Sequence, residues 1–131
     1  TITPFDTSRH HIYATFVVTH PTTGTKHSFE GIVDTGAPHT EFTDKVLAEI
    51  GIIDAPKKDV QIKEGLQSQK YGRVAFPRLE ICGQVMENFQ VYLTKLDESF
   101  HVAALIGLDF FKKFRVTIDY QKGQLITEAY Q

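Results

Sequence analysis

Short strand-like segments, each bounded by turn residues, recur through most of the 131 residues of the chain. Residues 11–19 and 28–33 are rich in β-branched and aromatic side chains, and the Pro-Thr-Thr-Gly segment at 21–24 between them has the composition of a turn. A second turn is predicted at Gly83 and Gln84. The same pattern predicts further strands at residues 60–62, 71–76, 79–81, 89–93, 102–106, 116–120 and 124–127. Because short turns join consecutive segments, we expect a mostly antiparallel all-β fold.

Two short helices are predicted to interrupt the strand pattern. The first runs from Thr43 or Asp44, either of which can cap its start, to Ile50, with a glycine just past its end. The second covers residues 109–114, whose phenylalanines are expected to pack in the core or in a dimer contact. A chain of this length is the usual size of one domain, so a single domain is predicted for residues 1–131.

The charge and hydrophobicity of the chain argue against a nucleic-acid partner and against a membrane segment. Fourteen Lys and Arg residues against sixteen Asp and Glu residues give a formal net charge of −2. No basic run is long enough to neutralise a phosphate backbone, so we expect no nucleic-acid partner. The longest apolar stretch, residues 102–108, is too short to span a bilayer, and no membrane segment is predicted in this chain.

The number of cysteines indicates which cellular compartment suits the chain. Cys82 is the only cysteine, so no disulfide can form within the chain, and a packed thiol in a reducing, cytoplasmic compartment is expected. The histidines show no spacing typical of zinc sites, and we predict neither a metal nor a cofactor. The sequence starts at Thr1 rather than at methionine, which is compatible with a fragment of a longer or anchored protein.

The segment with most chemical content is residues 31–37, where an apolar strand runs into Asp34, Thr35 and Gly36. It places a carboxylate in a tight turn, beside a hydroxyl group and a glycine that lets other backbone approach closely. Asp-Thr-Gly alone is a weak signal, because turns favour all three residue types. On this segment alone, a catalytic carboxylate and an ordinary surface turn are both open interpretations.

A second motif follows at residues 104–109, Ala-Leu-Ile-Gly-Leu-Asp, in which apolar residues lead into Gly107 and a short helix. Together with the Asp-Thr-Gly-Ala turn and the closing hairpin, it resembles the retropepsin-type aspartic proteases over residues 11–127. The resemblance implies an acid-protease β-barrel with one lobe per chain, active as a homodimer on peptide or protein substrates. It also implies that the terminal segments take part in the dimer contact.

The resemblance assigns roles within the Asp-Thr-Gly turn, and their chemistry requires a dimer. Peptide hydrolysis by carboxyl groups takes one carboxylate to accept a proton from water and one neutral carboxyl to polarise the scissile carbonyl. Because the chain has one such turn, the second carboxyl is expected from Asp34 of an identical chain at a two-fold axis. By resemblance, Thr35 bonds across the axis, the Gly36 carbonyl accepts a hydrogen bond from substrate, and Gly107 packs beneath the turn.

A substrate cleft follows from the same resemblance. A β-hairpin flap is expected at residues 62–73, with Gly65 near its tip, and a surface hairpin without that role is the alternative. The residues expected to line the cleft or contact substrate are Gly36, Ala37, Pro38, His39, Gly65, Leu66, Ala103 and Leu105.

Four residues near the motifs depart from the viral pattern or allow two interpretations. Viral members usually carry an ion pair at the positions of Pro38 and Leu108. Glu41 either contacts a basic substrate side chain or faces solvent, and Asp109 is expected to cap the second helix. Because the ion pair is missing, the alternative function is a dimeric protease-like binding or regulatory module with little proteolysis. A third interpretation, a non-protease β protein, predicts a monomer.

Overall fold

The computed structural model describes residues 1–56, 69–96 and 101–131. Within these ranges the strands are β1 (Ile2–Pro4), β2 (Tyr13–Thr19), β3 (Lys26–Val33), β4 (Glu41–Thr43), β5 (Gln69–Ile81), β6 (Gln84–Lys95), β7 (Ala104–Ile106), β8 (Arg115–Asp119) and β9 (Gln124–Glu128). Two short helices, α1 (Asp44–Glu49) and α2 (Leu108–Phe111), follow β4 and β7. The strand predicted at 60–62 lies outside the described residues.

Six of these strands close into a barrel in the order β2-β3-β7-β4-β6-β5. Most neighbouring strands are antiparallel, but β3 pairs with β7, and β4 with β6, in parallel. Strands β1, β9 and β8 form a separate antiparallel sheet in that order. The predicted mostly β fold with two short helices is therefore confirmed. In the described part of the chain, neither helix is long and apolar enough to cross a membrane.

Strand β5 differs from its prediction, because residues 71–76 and 79–81 belong to one continuous strand. Pro77, which suggested a break, is exposed, and its neighbours Phe76 and Arg78 both pair with β6. Proline is tolerated in a strand where no ladder hydrogen bond needs its missing N–H. The strand pattern therefore continues through this proline.

The β5–β6 turn consists of Cys82 and Gly83, one residue earlier than predicted, since Gln84 already belongs to β6. Both turn residues have positive φ, 50° and 74°. Positive φ at both central residues is the hairpin geometry that matches the twist of the flanking strands. Cys82 is buried, as predicted, and burial raises the pKa of its thiol to about 11. The protonated thiol is therefore the dominant form near neutral pH.

The barrel interior is filled by aromatic and aliphatic side chains. Phe16 of β2, Phe42 of β4 and Phe76 of β5 are almost fully buried and pack in series, with ring centroids 4.7 and 5.3 Å apart. Phe110 and Phe111 of α2 complete the same core. Replacing one of these rings by alanine would cost about 3–5 kcal/mol.

A second, smaller apolar cluster lies on the opposite face of the two strands that carry the motifs. It contains Ile32 of β3, Leu105 of β7 and Leu96. Leu105 points away from the main core, which contains its neighbours Ala104 and Ile106, because side chains alternate along a strand. Ile32 of this cluster is two residues before Asp34, which follows the end of β3 and begins the candidate site.

Candidate active site

Asp34 stands at the end of β3, where pairing with β7 continues for one more residue. Its N–H donates to the carbonyl of Ile106 (2.9 Å), the ladder partner of Val33. Two hydrogen bonds close the turn that follows: the N–H of Ala37 donates to the Asp34 carbonyl (3.1 Å), and the N–H of Gly36 donates to Asp34 Oδ1 (3.1 Å). The carboxylate is thus oriented by a turn fixed to a paired strand.

The turn presents this carboxylate toward the outside of the single chain. Asp34 is half-buried and Ala37 is buried. The exposed residues of the turn are Thr35, Gly36, Pro38 and His39. The structure therefore brings the predicted catalytic residues and three of the predicted substrate residues together on one surface.

Gly107 packs directly beneath the turn. A Cβ atom at this glycine would lie 2.6 Å from the carbonyl carbon and oxygen of His39 and 2.9 Å from the carbonyl oxygen of Ala37. On either side of the contact, the N–H of Leu108 donates to the Ala37 carbonyl (2.8 Å) and that of Asp109 to the Pro38 carbonyl (3.2 Å). Only a glycine allows the two motifs to approach this closely without a backbone shift.

Thr40 joins the two motifs through its buried hydroxyl. Its N–H donates to Asp109 Oδ2 (2.8 Å) and its hydroxyl to Asp109 Oδ1 (2.7 Å), while the N–H of Gly107 donates to Thr40 Oγ1 (3.1 Å). The prediction that Asp109 caps α2 is wrong: the cap residue is Gly107, and the Asp109 carboxylate is engaged by Thr40 instead. The sequence did not lead us to predict a role for Thr40. The available signal was a hydroxyl residue just after the first motif and a carboxylate at the end of the second, which would meet if the two motifs packed together.

The remaining predicted cleft residues are placed differently. Leu105 is 1% exposed and packs in the second apolar cluster, next to Ile32. Ala103 is buried, and its backbone bonds to Glu30 and Thr43. The predicted tip of the flap, Gly65 and Leu66, lies outside the described residues.

Glu41 is buried rather than exposed, with 2% of its surface accessible. It lies in β4 between β7 and β6, paired with Leu105 on one side and Tyr92 on the other. The prediction that Glu41 faces solvent is therefore wrong. In the single chain its side chain also offers almost no surface to a substrate.

A cavity of about 870 Å³ lies elsewhere, between β3, β4, α1 and the end of β6, and none of residues 34–40 lines it. Ala103 lines this cavity, together with Asp44 and Lys95. Lys95 Nζ donates to Asp44 Oδ2 (2.8 Å), and so does the Tyr71 hydroxyl (2.6 Å). Among the described residues, no cluster of three His, Cys, Asp or Glu side chains could hold a metal.

A family model described as "gag-polyprotein putative aspartyl protease" matches residues 22–113 of the chain. This range includes both motifs, from the strand before Asp34 to the helix after Gly107. A comparison with curated protein sequences gives no match.

Two solved structures share the fold. A retropepsin-like aspartic protease from Rickettsia conorii is 20% identical, with a TM-score of 0.60 over 97% of this chain and 88% of that chain. The retroviral protease-like domain of Ddi1 from Leishmania major is 17% identical, with a TM-score of 0.58 over 90% of this chain and 88% of that chain. The predicted retropepsin-like barrel, with one lobe per chain, is confirmed.

Proposed function

The chain belongs to the family of gag-polyprotein aspartyl proteases, and on that premise we propose that it is an aspartic endopeptidase that acts as a homodimer. The observation that carries the proposal is the Asp34 carboxylate, held by its turn at a strand end with Gly107 packed beneath. A carboxylate held by a main-chain hydrogen bond is oriented before substrate arrives, which catalysis by positioned groups requires.

The proposed reaction is hydrolysis of a peptide bond by water, without a covalent intermediate and without a cofactor. One Asp34 carboxylate accepts a proton from the attacking water, and the partner's Asp34, in its neutral form, donates a hydrogen bond to the scissile carbonyl. Two carboxyl groups this close share one proton, since both cannot ionise comfortably. After attack, the proton passes to the leaving amine, and the dyad returns to its starting state.

Two features of the chain favour a site completed by a second copy. The sequence contains one Asp-Thr-Gly turn, whereas the reaction needs two carboxyl groups. Thr35 and Gly36 are also exposed beside the half-buried Asp34, so the side of the turn that a symmetric partner would meet is accessible. In this arrangement Thr35 bonds across the axis and the Gly36 carbonyl holds substrate.

A dimeric binding or regulatory module is the second candidate, favoured by the uncharged residues Pro38 and Leu108. Pro38 is exposed in the turn, and Leu108 N–H is engaged by the Ala37 carbonyl. Viral relatives usually have an ion pair at these two positions, so this chain must hold substrate backbone differently there. Retention of peptide without turnover is the outcome that would support the module.

Cleavage of denatured casein and of a peptide library, between mildly acidic and neutral pH, tests the enzyme. Wild type is expected to cleave, and Asp34→Asn is expected to be inactive. Asp54→Asn makes the same chemical change at an exposed position and serves as the matched control. Sedimentation of the same samples measures assembly, and a wild-type monomer at micromolar concentration would contradict the dimer. Cleavage that persists in Asp34→Asn would contradict the assigned carboxylate.

A further inference from the structure

Three basic side chains surround the ring of Tyr92 on the surface beside the Asp34 turn. The His39 ring centroid lies 4.9 Å from the Tyr92 ring centroid, the Arg73 Cζ atom 5.5 Å from it, and the Lys70 Nζ atom 5.8 Å from it. His39, Lys70 and Arg73 are exposed, and Tyr92 is half-buried. These four residues are called the Tyr92 patch below.

The Tyr92 patch is fixed to the active-site turn through the backbone. The N–H of Tyr92 donates to the carbonyl of Thr40 (3.0 Å), and Thr40 is bonded in turn to Asp109 and Gly107. The backbone of His39 lies against Gly107. Because the same buried contacts hold the turn and the patch, their relative position is set by the fold.

The pairing of the barrel strands gives the position of the patch relative to the catalytic turn. One row of ladder partners crosses the sheet through Ile32, Leu105, Glu41, Tyr92 and Arg73. Adjacent strands are about 4.8 Å apart, so Tyr92 lies on the order of 14 Å from Ile32 along the sheet. Asp34 is two residues beyond Ile32, so the path from Tyr92 to Asp34 is on the order of 16 Å, which an extended peptide covers in about four to five residues at about 3.3 Å per residue.

The two long cations of the patch have no carboxylate partner among the described residues. In the described part of the chain, Arg9 pairs with Glu30 and Lys95 with Asp44, each at 2.8 Å. No described carboxylate lies within ion-pair distance of Lys70 or Arg73, and both cationic groups lie over the Tyr92 ring instead. The ring offers its negative face to both cations and reduces the space they sample.

The neighbouring acidic residue Glu41 does not neutralise the positive charge of Lys70 and Arg73 at the surface. It pairs with Tyr92 along the ladder, but it is only 2% exposed and has its own interaction within the chain. An anionic group on a bound peptide would therefore meet exposed cations before it met this buried carboxylate.

From this arrangement we infer that the Tyr92 patch selects substrates with an acidic side chain about four to five residues from the cleaved bond. The inference rests on the proposed endopeptidase function. Arg73 and Lys70 bind the substrate carboxylate, and Tyr92 holds both cations in place. In a symmetric dimer the patch occurs twice, so the preference applies on both sides of the cleaved bond.

The test uses a cleaved library peptide in which one residue, the third, fourth or fifth from the cleaved bond, is either Glu or Gln. Wild type is expected to show about fivefold higher kcat/KM for the Glu peptide at the preferred position, and the preference should shrink at about 0.5 M salt. In Lys70→Gln/Arg73→Gln the ratio should fall close to one. Arg78→Gln removes one positive charge from an exposed position further along β5, opposite Glu87 rather than Tyr92, and should keep the wild-type ratio.

Equal cleavage of the Glu and Gln peptides by wild type would overturn the inference, and so would a preference that survives in the double variant. If no peptide is cleaved at all, the proposed function fails rather than the patch. Fluorescence anisotropy with the same peptides then decides: about fivefold tighter binding of the Glu peptide by wild type, lost in the double variant, supports the patch. Equal binding of the two peptides overturns it.

Discussion

The two ends of the candidate active-site turn, residues 34–40, are built in opposite ways. At one end the Asp34 carboxylate accepts a hydrogen bond from the Gly36 N–H and stays half-exposed. At the other end Thr40 is 1% exposed and exchanges three hydrogen bonds with Asp109 and Gly107. We call the partly exposed end at Asp34 the open end, and the buried, hydrogen-bonded end at Thr40 the tied end.

This difference shows how one residue type serves two purposes. Asp109 has both carboxylate oxygens occupied by Thr40, so it fixes the backbone and has little capacity left for a reactant. Asp34 is held through one oxygen and keeps accessible surface, which the proposed mechanism requires for water and a second carboxyl group. We expect substitutions at the open end to alter activity or assembly, and those at the tied end to alter folding stability.

The largest effect is expected at the open end, from Asp34→Asn. The amide cannot accept a proton from water, so peptide cleavage should fall at least about a thousandfold. The free energy of unfolding in urea should change by less than about 0.5 kcal/mol, since the side chain is partly exposed and its amide oxygen can still accept the Gly36 hydrogen bond.

Mixtures of wild-type and Asp34→Asn chains test whether activity requires an intact Asp34 carboxylate from both chains of a dimer. When equal amounts of the two chains exchange freely, about a quarter of the dimers contain two intact carboxylates. Activity should therefore fall with the square of the wild-type fraction. A fall in simple proportion to the wild-type fraction would show that each chain acts alone.

Gly107→Ala should have the largest effect at the tied end. The new Cβ atom would lie 2.6 Å from the backbone of His39, which cannot rotate away, so the two motifs must separate. We expect a loss of about 3 kcal/mol in unfolding free energy and reduced cleavage. Gly72→Ala is the matched control, because its Cβ atom would meet a side-chain atom of Leu93 at 3.4 Å, an ordinary contact. Equal stability of the two variants would argue against the close approach.

Asp109→Ala tests the carboxylate that engages Thr40. The change leaves the N–H and hydroxyl of a buried residue without their acceptors and should cost about 2 kcal/mol. Asp109→Asn retains one acceptor oxygen and should cost about 1 kcal/mol. Urea denaturation measures both values. If Asp109→Ala were as stable as wild type, the hydrogen bonds between Thr40 and Asp109 would not contribute to the stability of the tied end.

Thr35→Val should act on assembly rather than on folding. Thr35 is exposed, so the unfolding free energy of the chain should hardly change. Loss of the proposed hydrogen bonds across the axis should raise the dimer dissociation constant about tenfold. Sedimentation equilibrium measures this constant, and Thr35→Ser should restore it. A dimer of unchanged strength would show that this hydroxyl does not bridge the two turns.

Local patterns in the sequence were sufficient for most of the fold. The alternating residues of 11–19 and 28–33 became β2 and β3, because one face of each strand packs in the barrel core. The strand predictions depend on residue type and short spacing. The contact between the two motifs was predicted only from their resemblance to the retropepsin-type proteases, and in the structure Gly107 lies beneath the Asp-Thr-Gly turn.

Other features depend on contacts between distant parts of the chain. An aspartate at a helix start ordinarily predicts a cap, yet Asp109 bonds to Thr40, which lies far away in sequence. Charged residues are mostly exposed, so the burial of Glu41 between two strands could not be predicted from its neighbours. The same holds for Tyr92, whose basic surroundings come from β5 and from the candidate active-site turn.

The terminal sheet bears on how such a protein would be regulated. Strand β1 pairs with β9 of its own chain, from Ile2 opposite Ile126 to Pro4 opposite Gln124. Within the single chain, the three strands of this sheet are therefore paired with one another. Under the proposed function, the second carboxylate arrives only with the partner, so the concentration of the protein would set the fraction of it that is active.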